Sequence, residues 1–451
     1  MSNRLSRRVI NLYCLGEMGF ILMMTLAVNY YAYFLTDVTL IGVAVAGVIL
    51  LIARIADIIS VPVTGIIVEK VGFRWGKYRT WLLIAPFTTA LFFMLMFTNP
   101  PLPAAAKALL LGTIYILAHV SVNLAGSSFF ALIPVIAREA EDRLTMSLRR
   151  AQVMSAGTFV AGLVTMPMIV WLGKGNEARG FFLTVTLFAL LQVAGYLLSA
   201  RVAKPFVGRE EKGEKGTRTG TVKEMLAQVA VNRPLLILML ADMARYTVQF
   251  LVTSFGVYYF KYIARNIMMV SVFLTTLSAA TLLGTLAGEY VSRALGKKKA
   301  YLAGMVVAVI SLTGGWLVSG RPVAYILFSV LGFAGMAVAQ SVTMALYADT
   351  AEYGRWKEGK DIAGLVMALS ALPIKIGVAL SGGVSSFALA AVGYVGNAKL
   401  TPELSKSISL IASLVPAFFA LLALGAISFY KLKEEELLGL KEKVIYQKKG
   451  V

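Results

Sequence analysis

The chain has 451 residues and few charges for its size: 58% of the residues are hydrophobic, 15% are charged, and the mean hydropathy is +0.77. Soluble domains carry about 25% charged residues, so this composition excludes an ordinary soluble protein. The formal net charge of +20 would suit a nucleic-acid partner. Because the basic residues cluster in short segments between apolar stretches, we attribute the charge to membrane topology and expect no nucleic-acid binding. Cys14 is the only cysteine, which excludes an internal disulfide.

Apolar stretches long enough to cross a bilayer recur along the chain and predict an all-α membrane protein with twelve transmembrane helices. The first stretch contains Glu17 and Asn29 and has no small-residue cleavage site, so we expect a true span and not a removable signal peptide. In chain order, the predicted spans are 9–35, 40–68, 81–98, 104–136, 150–172, 180–201, 234–260, 267–292, 300–318, 323–349, 362–393 and 404–430.

The polar segments between the spans orient the chain. With a cytoplasmic N-terminus, most Lys and Arg residues fall on the cytoplasmic side, so we expect both termini there and a multi-pass plasma-membrane protein. An aromatic belt at the outer interface is predicted for Tyr30, Tyr31 and Tyr33. The longest polar segment divides the spans six and six. The predicted organisation is an N-terminal bundle over 1–203, a cytoplasmic linker over 204–233, a C-terminal bundle over 234–430 and a cytoplasmic tail over 431–451.

Two sequence features recur in both halves at a similar separation. The connections after predicted helices 2 and 8 combine Gly with a basic cluster, in VGFRWGKYRTW from Val71 and RALGKKKAYL from Arg293. The turns after predicted helices 4 and 10 begin ALIPVIAREAEDR at Ala131 and ALYADTAEYGR at Ala345. Such turns also recur by chance, but two pairs at similar offsets favour an internal duplication. Parallel six-helix repeats with the substrate site at their interface are the architecture of the major facilitator fold.

The chain lacks the motifs of ATP-driven pumps and hydrolases. It has no GxxxxGK[ST] phosphate loop, no HExxH and no GxSxG, and the lone His119 lies in an apolar stretch. We therefore expect a secondary transporter and not an enzyme, with no cofactor and no tightly bound metal.

Charged residues inside the predicted spans are the main functional candidates, because a charge in the bilayer is costly. Arg54 and Asp57 lie three residues apart on one face of predicted helix 2, and Ser60 continues that face. They form either an internal ion pair or a coupling site where Asp57 binds and releases H⁺ or Na⁺. Asn123 of predicted helix 4 either joins helices by a hydrogen bond or takes part in this site.

Predicted helices 7 and 11 carry further charges. Asp242 and Arg245 are again three residues apart, and either an ion pair or a substrate role fits them. Lys375 has no acid within a helical turn, so it needs a partner on another helix, water or an anionic ligand. Glu17 is a candidate partner for Lys375, and Gln340 of predicted helix 10 is a further polar candidate for substrate binding.

Charged loops on the side of the termini are predicted to form an inner gate. The Gly-basic connections and the acidic-basic turns would make ion pairs that break when the transport path opens inward. The candidate gate residues are Arg74, Lys77, Arg143, Asp349 and Glu352.

Several ordered stretches resemble the glycoside-pentoside-hexuronide:cation symporter family, the melibiose permease relatives within the major facilitator superfamily. The resemblance covers most of the chain and implies the major facilitator fold and transport by alternating access. The stretches are YYAYFLTDV from Tyr30, ARIADIISVPVTG from Ala53 with RWGKYRTWLL after it, the ALIP turn with Arg143 and Arg150, YYFKY from Tyr258, and ADTAEYGRWK with Lys375 downstream.

The resemblance assigns roles at some positions and fails at others. It places Asp57 on the cation-binding helix, Lys375 at the site that connects cation and sugar, and Arg150 near the sugar. Val61 replaces the second carboxylate of the family motif, and Asn123 replaces a cation-binding Thr. The positions of two sugar-binding acids and a sugar-stacking Trp in melibiose permease are occupied here by Ile21, Gly126 and Gln340.

The lost carboxylates make the predicted site more positive and favour an anionic substrate, such as a uronide or a sulfonated sugar. We expect a cation-coupled symporter of sugars or glycosides that functions as a monomer in the lipid bilayer. With one carboxylate at Asp57, only a transient Na⁺ site is expected and H⁺ coupling is favoured, although uniport and export stay open. The alternative is a lysolipid or other amphiphile transporter of the same fold, which the apolar replacements would also suit.

Overall fold

The computed structural model describes residues 5–71, 75–206, 232–358, 363–397 and 401–432, and twelve helices among them are long and apolar enough to cross a membrane. The predicted all-α fold with twelve spans is confirmed, and the largest shift of a boundary is at the fifth helix, which begins at Glu141. The helices are α1 (Arg7–Val38), α2 (Val43–Lys70), α3 (Lys77–Met96), α4 (Ala104–Ile136), α5 (Glu141–Gly173), α6 (Glu177–Phe206), α7 (Arg233–Ile263), α8 (Met269–Leu295), α9 (Lys297–Leu317), α10 (Pro322–Gly354), α11 (Leu365–Ala391) and α12 (Pro402–Ser428).

Three predicted features fall wholly or largely outside the described residues. Most of the predicted linker (207–231), most of the predicted tail (433–451) and Arg74 of the predicted inner gate are among them.

The first helix of each predicted half ends in the same irregular way. α1 closes with a π-helical turn, Phe34–Val38, and α7 closes with the π-helical turn Tyr259–Ile263. Each turn is followed by a non-glycine residue with a positive φ, Leu40 at 57° and Arg265 at 52°. A rare geometry repeated at matching places is what an internal duplication would leave.

α11 is not continuous. A first segment, Ala363–Leu369, is followed by a turn, and the helix resumes over Leu372–Ala391. Pro373 explains the break, because proline has no N–H to donate to the preceding turn yet is tolerated in the first turn of a new helix. The span predicted over 362–393 is present, and the break within it was not predicted.

The Cα positions group into two compact units. The first contains Met1–Glu214, Thr253–Ser278 and Gly382–Ile408, and the second contains the remaining residues. α7, α8, α11 and α12 thus each contribute to both units. The division into bundles over 1–203 and 234–430 stays a prediction.

In the first unit, glycines let α1 and α6 approach closely. A Cβ at Gly195 would collide with the backbone of Gly16, and a Cβ at Gly19 would collide with the backbone of Leu191. Small residues at such crossings are typical of helix pairs in membranes, where close van der Waals packing drives association.

The tyrosines of α1 belong to the protein interior. Tyr30, Tyr31 and Tyr33 are at most 1% exposed, and Tyr31 stacks on Tyr115 of α4 with ring centroids 4.7 Å apart. The predicted aromatic belt at the membrane interface was wrong for these residues, since side chains in such a belt face lipid headgroups.

In the second unit, small residues again bring helices together. A Cβ at Gly304 of α9 would collide with the carbonyl oxygen of Gly335 in α10, and Gly284 of α8 packs against Ala334. α10, which carries Gln340 and Asp349, therefore packs against both α8 and α9.

Candidate functional site

A polar cluster inside the first unit joins α2 and α4. The Asn123 amide Nδ2 donates to Asp57 Oδ1 and to Ser60 Oγ, each at 2.7 Å. Asp57 is 6% exposed and Ser60 is 8% exposed. The helical spacing of three residues brings Asp57 and Ser60 to one face, where Asn123 from α4 meets both. The structure thus brings together the three residues predicted for cation coupling, whose role stays a prediction.

Arg54 flanks the same carboxylate. Its Nη1 lies 4.0 Å from Asp57 Oδ2, and its guanidinium carbon lies 5.4 Å from the centre of the Tyr115 ring. The aromatic face offers this cation a second favourable contact. Asp57 therefore has a positive charge on one side and an amide on the other.

A second pair of the first unit links α1 to α5. Arg150 Nε lies 2.5 Å from Glu17 Oε2, and Arg150 Nη2 donates to Glu17 Oε1 at 3.2 Å. Glu17 is 2% exposed and sits where the α-helical hydrogen bonding of α1 is interrupted between Leu15 and Met18. The carboxylate proposed from sequence as a partner of Lys375 is thus held by Arg150, which was itself predicted to bind substrate.

The second unit contains the pair on α7. Arg245 Nε donates to Asp242 Oδ1 at 2.8 Å, and both residues are 1% exposed. The Arg245 guanidinium carbon lies 4.1 Å from the centre of the Tyr246 ring. The ion pair that the spacing of three predicted is present, and a substrate role stays a prediction.

Lys375 lies in the second unit, half-buried, in the first turn and a half of the resumed segment of α11. Two residues further on, a Cβ at Gly377 would lie 2.6 Å from the Tyr246 side chain and 3.0 Å from the Thr247 nitrogen. α11 and α7 therefore touch directly beside Arg245. Gln340 of α10 is also half-buried.

Three of the predicted inner-gate residues that the structure describes make polar contacts, two of them with residues nearby in the sequence. Lys77 Nζ lies 2.5 Å from Glu69 Oε2, and Arg143 Nη2 donates to the carbonyl oxygen of Arg138 at 3.0 Å. Lys297 Nζ donates to both carboxylate oxygens of Asp349, at 2.9 and 2.8 Å. Glu352 is exposed. Opening and closing of this gate stay a prediction.

A further buried carboxylate, Asp37, was not singled out from the sequence. It is 2% exposed at the end of α1 and accepts hydrogen bonds from the Tyr262 and Tyr394 hydroxyls, while Lys261 Nζ lies 3.3 Å from its Oδ1. Burial, and then the Asp37 carboxylate, raise the pKa of the Tyr394 phenol, so Tyr394 remains a donor. The available signal was that YYAYFLTDV and YYFKY, which close α1 and α7, contain an acid and a base.

Most of the chain matches the model of a known family. Residues 12–434 match the model of the family described as MFS/sugar transport protein. The chain belongs to this family. The resemblance read from the motifs and the major facilitator fold are confirmed by this match.

Relatives of this chain are named as transporters. It is 25% identical over 431 residues to the isoprimeverose transporter of Lactiplantibacillus pentosus, covering 94% of this chain and 88% of the relative. It is 26% identical over 446 residues to a glucuronide carrier protein homolog of Escherichia coli (strain K12), covering 97% and 95%. The expectation of a membrane transporter of the sugar transport family is confirmed at this level.

The fold of this chain is also seen in crystal structures. The nucleoside transporter NupG superposes with a TM-score of 0.68 at 14% identity, covering 94% of this chain and 100% of NupG. At such low identity the likeness concerns the fold alone.

Proposed function

We propose that this protein is a cation-coupled symporter that moves a sugar or glycoside, preferentially an anionic one, by alternating access. The observation that carries the proposal is the buried cluster of Asp57, Ser60 and Asn123 in helices that cross the membrane. An ionisable group at such a position is costly, and transporters use such groups to carry coupling ions. Binding of the cation and the sugar would favour the same conformational transition and so raise each other's affinity.

The cluster can bind a cation in two ways. The Asp57 carboxylate can take up H⁺ directly. A half-turn of the Asn123 amide would exchange its donor for its oxygen and give three oxygen ligands, from Asp57, Ser60 and Asn123, which suit a hard cation such as Na⁺. Arg54 opposes a second positive charge at this place, so a resident Na⁺ would be weakly held and H⁺ is the favoured coupling ion.

The charges of the candidate residues favour an anionic sugar. Three acids face three arginines in the pairs Arg54/Asp57, Glu17/Arg150 and Asp242/Arg245. Lys375 is a further basic candidate residue, which the resemblance to the symporter family places at the site that connects cation and sugar. The glucuronide carrier homolog among the relatives is named for an anionic sugar, whereas the isoprimeverose transporter is not. We therefore propose that Lys375 contacts a carboxylate or sulfonate of the substrate.

Uptake into proteoliposomes tests the coupling. We expect accumulation driven by an inward proton gradient and abolished in Asp57→Asn, because the amide cannot load and release H⁺. Glu289→Gln is the matched control, since it neutralises an exposed carboxylate paired with Arg293 on α8. Accumulation that follows a Na⁺ gradient at fixed pH would replace H⁺ by Na⁺. Unchanged coupling in Asp57→Asn would contradict the assignment.

A thermal-shift screen of the purified protein tests the substrate. We expect glucuronides or sulfonated sugars to stabilise the wild type, and Lys375→Gln to lose this response while Lys375→Arg keeps part of it. Stabilisation by neutral glycosides alone would contradict the anionic substrate. Stabilisation by lysophospholipids alone would favour the amphiphile transporter.

We also propose that both termini face the cytoplasm and that the protein functions as a monomer. Exposed basic side chains near the N-terminus and at the start of α5, such as Arg7, Arg8 and Arg149, support this orientation. Fluorescence of a C-terminal green fluorescent protein fusion, which requires a cytoplasmic location, tests the topology. The mass of the purified protein in nanodiscs tests the monomer.

A further inference from the structure

One cluster of side chains lies at the end of the first unit at which α1 ends. Asp37 belongs to the π-helical turn of α1, Lys261 and Tyr262 belong to the π-helical turn of α7, and Tyr394 and Asn397 follow α11. All five residues belong to the same compact unit. Segments from the first and the second half of the sequence therefore meet on one carboxylate. With Tyr33, Thr36 and Tyr258, these residues are called the Asp37 cluster below.

The Asp37 carboxylate has its acceptor positions filled. Tyr394 donates to Oδ1 and Oδ2 at 2.8 and 2.9 Å, Thr36 donates to Oδ2 at 2.7 Å, Tyr262 donates to Oδ1, and Lys261 Nζ lies 3.3 Å from Oδ1. An ionised carboxylate offers about four lone-pair sites. Only Thr36 is a neighbour in sequence, and the other three donors are 224 to 357 residues away. These bonds hold distant segments together and contribute little to local helix geometry.

Lys261 and Asn397 tie the same segments together a second time. Lys261 Nζ donates to the Tyr33 hydroxyl at 2.5 Å and to Asn397 Oδ1 at 3.1 Å. Asn397 Nδ2 donates to the Asp37 carbonyl oxygen at 2.7 Å. Glu177 at the start of α6 accepts from Tyr33 at 2.7 Å and lies 3.7 Å from Lys261. The cluster is a connected network of charged and hydroxyl groups.

Glycines allow close contacts between segments of the two sequence halves within the first unit. A Cβ at Gly47 of α2 would lie 2.9 Å from the Ser386 side chain of α11, and a Cβ at Gly162 of α5 would lie 3.0 Å from the backbone nitrogen of Thr275 in α8. Gly396 likewise leaves no room for a Cβ beside the carbonyl oxygen of Thr36. Segments of both sequence halves are thus in close contact in the first unit, and at the Asp37 cluster itself the contact is that of Gly396 with Thr36.

We propose that Asp37 is a gating residue: its carboxylate holds this end of the transport path closed and releases the donors of α7 and of the segment after α11 whenever this end opens. The proposal rests on the alternating-access function proposed above. A polar network suits a seal that must open, because water can replace each hydrogen bond, whereas an apolar seal would expose apolar surface. The two π-helical turns fit such a place, since π-bulges are frequent at functional sites.

The opening of this end can be measured as a distance. Spin labels are placed on Leu40→Cys and Val395→Cys, two exposed positions after α1 and α11, in a Cys14→Ala background that removes the single native thiol. Double electron–electron resonance on the full chain in nanodiscs, without substrate, then reports the populations of short and long distances.

We expect the wild type to populate the short distance and Asp37→Asn to raise the ratio of long to short by at least about tenfold, which corresponds to about 1.4 kcal/mol. Asn keeps one acceptor but turns an N–H group toward the donors. Tyr262→Phe and Tyr394→Phe, which keep the carboxylate, should shift the ratio in the same direction. These two variants test the proposal even if Asp37→Asn does not fold.

Tyr30→Phe is the matched control, because its buried hydroxyl on α1 makes no hydrogen bond to any residue that the structure describes. A wild type without the short distance would overturn the proposal. So would variants that lose thermal stability while their distance distributions match the wild type, since that is the signature of a static structural role. Because no substrate is used, a failure of sugar uptake in the wild type would overturn the proposed function separately.

Discussion

Arg150 and Glu17 form an ion pair between α5 and α1 in which Arg150 Nε lies 2.5 Å from Glu17 Oε2. The Glu17 side chain is 2% exposed and that of Arg150 is 24% exposed. The buried Glu17 carboxylate therefore relies on Arg150 to balance its charge. Arg150 relies less on Glu17, because its guanidinium can also reach water.

This difference in exposure predicts that loss of Arg150 lowers the free energy of unfolding more than loss of Glu17 does. Arg150→Gln should lower the free energy of unfolding by about 3 kcal/mol, because a buried carboxylate loses its partner. The double variant Glu17→Gln, Arg150→Gln should recover part of the loss. A double-mutant cycle of thermal unfolding in detergent measures the coupling. Strictly additive losses would mean that the pair contributes no coupling energy.

A second carboxylate beside Asp57 should create a stronger Na⁺ site. In Asn123→Asp, the new acid would lie where the amide now meets Asp57 and Ser60, so a cation there would have two negative ligands. We expect Na⁺, at fixed pH, to stabilise this variant at concentrations at least about tenfold lower than for the wild type, about 1.4 kcal/mol in binding. The control is Asn123→Leu, which supplies no ligand. Equal Na⁺ responses in all three proteins would show that the cluster is not a cation site.

The close contact of α1 with α6 should tolerate no added methyl group. Gly195→Ala would force its Cβ into the backbone of Gly16, and overpacking of this kind costs about 1–3 kcal/mol. Gly65→Ala, inside α2, is the matched control because its Cβ would meet no atom within 4 Å, and removing a mid-helix glycine gains up to about 1 kcal/mol. The apparent melting temperature should fall for the first variant and hold or rise for the second. The reverse order would contradict the packing described for α1 and α6.

The bond between Lys297 and Asp349 joins α9 to α10 and can be tested by exchange of the charges. Reversal in Asp349→Lys should abolish uptake, since two ammonium groups would then face each other, whereas the double variant Lys297→Asp, Asp349→Lys should restore part of it. Uptake is normalised to the amount of protein in the membrane. The partners are 32% and 14% exposed, so neutralisation by Asp349→Asn should cost at most about 1 kcal/mol of stability. Full uptake in the reversed single variant would remove this pair from the inner gate.

Local patterns were enough to predict the helices and the short-range pairs. A run of apolar residues of the right length must form a helix in lipid, since every backbone group needs a partner there. The spacing of three placed Arg54 with Asp57 and Asp242 with Arg245 on one helix face, and the ion pairs that the sequence left open beside a functional role are present at both places. The break in α11 was missed, although Pro373 was visible, because a proline inside an apolar span is compatible with both a kink and a restart.

Contacts between distant segments were decided by the tertiary structure alone. Glu17 meets Arg150 across 133 residues and Tyr262 meets Asp37 across 225, whereas the grouping of Asn123 with Asp57 was already one of the alternatives from the sequence. The sequence shows that each polar side chain in a membrane helix needs a partner. Which partner it finds depends on which helices are in contact and at which level along their axes. That choice is made by the packing of small residues such as Gly16 against Gly195, and their complementarity becomes apparent only when the helices are assembled.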